Sequence, residues 1–188
     1  MNEQTLVILK PDAVARGIVG EIITRFEKVG LKIVGMKMLA ASKKQLEEHY
    51  QKDDEWLIRK GKGIIKNKSY PDNYDPKKAG QEIVDGLMSD MMLYPVIGMV
   101  VEGHNAVNVV RKIAGPTNVE EAQPGTIRGD YSHDTYALAN VSDRPIITIV
   151  HASGEKHEAK QEIKIWFKPE EIHKYDRVET HLHYRKNK

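Results

Sequence analysis

The chain has no cysteine among its 188 residues. That excludes disulfides and thiolate metal sites, and it fits a cytoplasmic location. No apolar run approaches the roughly 18 residues that a membrane span requires. The opening M-N-E-Q-T-L-V enters a strand pattern directly, without the apolar core of a secretory signal. An excess of charge of one sign is also missing: 29 basic against 27 acidic residues leave a net +2, which calls for no polyanionic partner. Neither an internal repeat nor a low-complexity tract interrupts the pattern. What these absences leave is a soluble globular chain, long enough for one domain with a substantial core.

The chemistry is concentrated in residues 144–168, R-P-I-I-T-I-V-H-A-S-G-E-K-H-E-A-K-Q-E-I-K-I-W-F-K. Ile146, Ile147, Ile149 and Val150 form a β-branched run too short for a helix, which predicts a buried strand ending at His151. Ser153 is expected to cap the helix that follows, with Glu155 in its first turn. Ala159, Ile163, Trp166 and Phe167 recur at helical spacing as an inward face, and Pro169 stops the helix. A histidine at such a junction sits beside free backbone N–H groups, where phosphate oxygens are favoured. Glu162 shares the face of Ala159 and Trp166, so its carboxylate needs a partner. Ser153 and His151 are the nearest candidates. Together the three constitute a candidate nucleophile with its orienting groups. A plainer reading stays open: a satisfied strand-end histidine, a serine that only caps, and a glutamate half-exposed beside Lys160 or Lys164.

Elsewhere, residues 4–9 read as a central strand closed by Lys10-Pro11-Asp12, and a lysine there is placed to aim a point charge at a phosphate. Val19, Ile22, Ile23 and Phe26 predict a helix over 18–29, followed by a strand over 32–41. Ser42 is expected to cap a short helix to about Gln51, in which His49 and Tyr50 stand side by side. Residues 59–68 carry five basic groups and no acid, and read as part of a solvated insertion. Residues 79–92 predict a helix with Ile83, Leu87 and Met91 inward. A strand over 95–102 and a helix over 105–114 follow. Residues 115–144 form a long connection of the kind that is usually functional; Arg128 within it, Arg111 before it and Lys10 are placed to clamp a polyphosphate. The order is βαββαβ, the α+β, ferredoxin-like pattern of an antiparallel sheet with helices packed on one face.

Several segments then resemble one family in its own order: T-L-V-I-L-K-P-D-A-V-A-R-G-I-V-G-E-I-I-T-R-F-E, V-E-G-H-N-A-V-N-V-V-R-K-I-A-G-P-T-N, P-G-T-I-R-G-D-Y, and H-A-S followed by E-I and W-F-K-P-E-E-I. The chain resembles a nucleoside diphosphate kinase over about 3–51, 93–131 and 147–172. The resemblance implies ping-pong transfer of a γ-phosphoryl group from a nucleoside triphosphate, typically ATP, to a nucleoside diphosphate. His151 would become phosphohistidine, held and polarised by Glu162 with Ser153. Lys10, Tyr50, Arg111, Thr117 and Arg128 would bind phosphates and ribose. Thr148 stands where the family has an asparagine that meets the sugar hydroxyl, and Gly154 where it commonly has aspartate. Mg²⁺ would arrive on the nucleotide phosphates, since no carboxylate cluster suggests a protein-built cage. A homo-oligomer, hexamer or tetramer, is expected.

Against compact members of the family, this single domain carries insertions at about 53–92 and 131–146 and a tail from about 174. Trp56, Leu57, Tyr70 and Tyr74 are open candidates for the base clamp. His181 and His183 in the tail are more readily solvated or subunit-contacting than metal ligands. The competing reading is a noncatalytic module that binds nucleotide or single-stranded nucleic acid through residues 59–68. No strand carries the paired exposed aromatics that such modules use to stack bases.

Overall fold

The computed structural model describes residues 2–68, 70–178 and 180; His181 and His183 lie outside them. Four strands, β1 (Asn2–Leu9), β2 (Lys32–Leu39), β3 (Val96–His104) and β4 (Val150–Ala152), pair antiparallel in the order β2-β3-β1-β4. This is the ferredoxin-like arrangement. Nine α-helices are seen among the described residues: α1 (Pro11–Ala15), α2 (Val19–Lys28), α3 (Lys43–His49), α4 (Asp54–Asn67), α5 (Pro76–Met91), α6 (Ala106–Ala114), α7 (Ile127–Tyr131), α8 (Tyr136–Val141) and α9 (Lys156–Trp166). None is long and apolar enough to cross a membrane.

β1 is apolar on both faces because it is central, and helices cover both sides rather than one. Val7 and Leu9 pack with Ile22 and Phe26 of α2 and Val110 of α6. On the reverse face, Leu6 and Ile8 pack with Leu46 of α3, Leu57 of α4, Met88 and Met91 of α5, and Trp166 of α9. β2 is one edge of the sheet, and part of the tail shields it. His173 N donates to Val34 O at 2.7 Å, Tyr175 Oη to Ile33 O at 2.8 Å and Arg177 to Leu31 O at 2.8 Å.

The basic run 59–68 is solvated as expected, with Arg59, Lys60, Lys62 and Lys66 exposed on α4 and Lys68 just past its end. Two expectations change. Val84 and Met88 are buried in α5, whereas Ile83 and Leu87 are only half-buried. The connection 115–144 contains a 3₁₀ turn (Val119–Glu121), α7 and α8.

Thr5 on β1 is fully buried, and among the described residues its hydroxyl has no hydrogen-bond partner. Thr5→Val keeps the shape and removes the stranded group. It is expected to stabilise the fold by about 1 kcal/mol, read as a rise in thermal midpoint. A fall would contradict the burial argument.

Candidate active site

β1 presents Lys10 at its carboxyl end, and β4 sets His151 opposite Ile8. The expected strand over 146–150 is shorter than its apolar run: pairing begins only at Val150. Upstream, Thr148 O accepts from Val150 N at 2.5 Å, and the intervening Ile149 has φ +64°. This is a γ-turn, a conformation costly for a β-branched residue. Ile149 is nonetheless fully buried.

His151 Nε2 lies 3.0 Å from Glu162 Oε2, and Ser153 Oγ donates to the same oxygen at 2.6 Å. Ser153 also accepts from Leu6 N at 3.3 Å. Ser153 is therefore not the helix cap; Glu155 occupies that position, without a side-chain cap bond. Burial pushes the Glu162 carboxyl up, but His151, His49 and Ser153 outweigh it and hold the carboxyl at about 2. An ionised carboxylate only accepts hydrogen bonds, so Nε2 of His151 carries the hydrogen. The lone pair is then on Nδ1, the nitrogen that Glu162 does not engage.

Lys10 Nζ donates to Thr148 Oγ1 at 2.8 Å. Burial pushes its ammonium down to about 8, with Asp12 and Asp90 pulling upward and Arg128 pushing down. Thr126 caps α7 by accepting from Gly129 N, and so aims Arg128 inward. Arg128 Nε donates to Thr148 O at 3.1 Å, Nη2 to Val150 O at 2.6 Å and Nη1 to Gly115 O. Burial, together with the charge of Arg111, pushes Arg128 down to about 10. Arg111 itself is exposed at the end of α6. Thr117 is exposed on the following loop, and no hydrogen bond among the described residues ties it to the others. Tyr50 is half-buried, and burial, Glu162 and Asp90 raise its phenol. Of the base-clamp candidates, Leu57 is buried in the core, Tyr70 and Tyr74 both donate to Glu82, and Trp56 has Lys52 and Lys60 over its ring.

Sequence reasoning missed His49 as a site residue. Its buried ring lies 4.6 Å from that of His151 and 4.8 Å from that of Tyr50, and Nδ1 accepts from Trp166 Nε1 at 3.2 Å. Burial and the neighbouring His151 push it down to about 3, so it is neutral. With Nδ1 engaged by the indole, the 3.7 Å approach of Glu162 Oε1 is not an ion pair. The available signal was its position three residues after buried Leu46.

His49, His151 and Glu162 are the one set of three among the described residues whose ligand atoms lie within 4.8 Å of one another. Two imidazoles and a carboxylate do not suit Mg²⁺, which takes oxygen ligands.

Comparison with known proteins shows the family. The family model described as Nucleoside diphosphate kinase matches residues 3–59 and 58–172. A nucleoside diphosphate kinase from Pyrobaculum aerophilum is 46% identical over 180 residues, 90% of this chain and 97% of its own. A solved NDP kinase structure from that organism has a TM-score of 0.87 at 44% identity, covering 93% of this chain and 100% of its own. The Borrelia burgdorferi nucleoside-diphosphate kinase, solved as a transition-state mimic with vanadate and ADP, has a TM-score of 0.82 at 36% identity over 97% of each chain. This chain belongs to the nucleoside diphosphate kinase family.

Proposed function

We propose that His151 carries the phosphoryl group in a ping-pong reaction between nucleoside tri- and diphosphates, with ATP as the typical donor. The observation that carries this reading is the bond from Nε2 to a buried, ionised carboxylate, which leaves the Nδ1 lone pair for attack. In the first half-reaction an Nδ1–P bond forms and the bond from the γ-phosphorus to its bridging oxygen breaks. The electron pair leaves on the diphosphate. As the imidazole becomes cationic, Glu162, braced by Ser153, stabilises it. The second half-reaction reverses these steps onto another diphosphate. Lys10, Arg111 and Arg128 neutralise phosphate charge, and Tyr50, Thr117 and Thr148 complete the contacts to phosphates and ribose. Mg²⁺ enters with the nucleotide and neutralises charge on its phosphates.

The relative solved with bound vanadate and ADP supports a nucleotide as substrate. We read the chain as a single cytoplasmic domain with insertions at about 53–92 and 131–146, and as a hexamer or tetramer. Met36 and Met38 on the edge strand, 55% and 58% exposed, offer such an assembly apolar contact.

Intact mass after brief exposure to ATP and Mg²⁺ tests the reading. One added phosphoryl group, removed by GDP and by acid, is expected. No added mass on folded protein that still binds ATP would overturn it.

Lys10 also sets a pH dependence. In the free protein its charge is lost as pH rises through about 8, whereas a bound phosphate favours the ammonium. The dissociation constant for ADP is expected to stay flat below about pH 7. Above pH 8 it should rise by up to about tenfold per unit, since the bound state must take up the missing proton. Lys10→Gln is expected to bind weakly and lose this slope. Calorimetry from pH 6.5 to 10 decides it, and a flat wild-type curve would contradict the assignment.

A further inference from the structure

Backbone entering the catalytic strand is held by side chains, because β4 starts only at Val150. At Ile147 both peptide groups are tied to the stretch 131–146. The carboxylate of Asp134 accepts from Ile147 N at 2.7 Å, and Ser132 Oγ donates to Ile147 O at 3.1 Å. Asp134 is 6% exposed, and its two oxygens also take both terminal nitrogens of Arg144, at 2.6 and 2.9 Å, and Thr135 N at 3.0 Å. The Arg144 guanidinium, helped by the amides of Ile147 and Thr135, holds this carboxyl below the usual carboxylate range. A buried, charge-assisted and bidentate contact of this kind has strict geometry.

The next residues along the chain carry the site. Thr148 meets Lys10 and Arg128, Ile149 takes the left-handed conformation with its carbonyl on Lys10 N at 2.9 Å, and His151 follows. A β-branched residue stays in that conformation only where its surroundings over-determine it. Arg128 and Lys10 supply the constraint downstream, and Asp134 with Ser132 supplies it upstream.

We propose that Asp134, together with Arg144, is a positioning residue for phosphoryl transfer: the pair fixes the Ile147 peptide and, through it, the turn at 148–150 that aims His151. The inference rests on His151 as the nucleophile. Neither residue of the pair bonds to the His151–Glu162–Ser153 cluster, so the pair acts on geometry and not on chemistry. Misplacement of a reacting group by about 1 Å is worth on the order of 10²-fold in rate.

The test uses the full-length protein and single-turnover loading at saturating MgATP, quenched and read by intact mass, alongside ATP affinity and thermal midpoint. Asp134→Ala and Arg144→Ala are each expected to slow loading at least tenfold, with ATP affinity within about threefold of wild type. The double variant should be no slower than the worse single, because the two act as a unit. Arg144→Lys should recover part of the rate. Loading at the wild-type rate by folded Asp134→Ala protein would overturn the proposal, whatever its thermal midpoint, and so would fully additive losses. Should Asp134→Ala not fold, Ser132→Ala carries the test, since it removes the donor to the Ile147 carbonyl and the acceptor for Asp134 N, and so loosens the same anchor: slowed loading supports the proposal and unchanged loading overturns it. Failure of the wild type to load would instead strike at His151 as nucleophile, so the two failures are told apart.

Discussion

Replacing His151 by alanine is expected to abolish the phosphoryl adduct and lower turnover by at least about 10⁴-fold, the scale seen when a covalent nucleophile is removed. Nothing nearby can substitute. His49 is buried, neutral and committed to Trp166 through Nδ1. The fold should tolerate the change, because the ring is partly exposed and its removal leaves Glu162 still bonded to Ser153. The informative comparison is intact mass against ATP binding. A His151→Ala protein that binds ATP and carries no phosphoryl group places the chemistry on this imidazole. Turnover within tenfold of wild type would remove His151 from the mechanism.

Gly61→Ala is expected to destabilise the protein although alanine is the better helix former. Propensity alone favours alanine by about 1 kcal/mol. A Cβ at Gly61 would lie 1.7 Å from Pro76 O and 2.7 Å from its carbonyl carbon, both backbone atoms that cannot rotate aside. α4 and α5 must therefore part, loosening Leu57, Val84 and Met88. Overpacking of this kind costs about 1–3 kcal/mol and occasionally more, so packing wins. A fall of roughly 4–8 °C in thermal midpoint is expected for a net loss of about 2 kcal/mol at this chain length, the upper end of that range less the propensity gain. Gly63→Ala is the control: nothing lies within 4 Å of its Cβ position in the same helix, and it should stabilise. A midpoint for Gly61→Ala equal to that control would contradict the close approach of the two helices.

These cases show what a sequence displays and what it conceals. The pairing of His151 with Glu162 was legible because a carboxylate on an apolar helix face needs a partner, and few were within reach. Ser153 was misread as a cap because local rules see only neighbours, whereas its hydroxyl is claimed by Glu162 and by Leu6, distant in sequence. The extent of β4 was hidden for a related reason. The Ile146–Val150 run has strand composition, but Asp134, Ser132 and Arg128 take the backbone groups that a neighbouring strand would have taken. In α5 the inward face turned from Ile83 and Leu87 toward Val84 and Met88 because buried Gly80 sets the line of contact with α4. Hydrophobic periodicity gives glycine no weight, so that line cannot be seen from it.

Arg128 has a consequence for the reading of kinetic variants. A guanidinium has five N–H donors. Three go to the carbonyls of Gly115, Thr148 and Val150, which leaves two for phosphate oxygens. An Arg128 variant therefore forfeits the scaffold of the loop along with the proposed anion contact, and its rate deficit overstates what the charge contributes. Arg111 is exposed, and its guanidinium has no hydrogen-bond partner among the described residues. It is the position from which the electrostatic share can be measured cleanly.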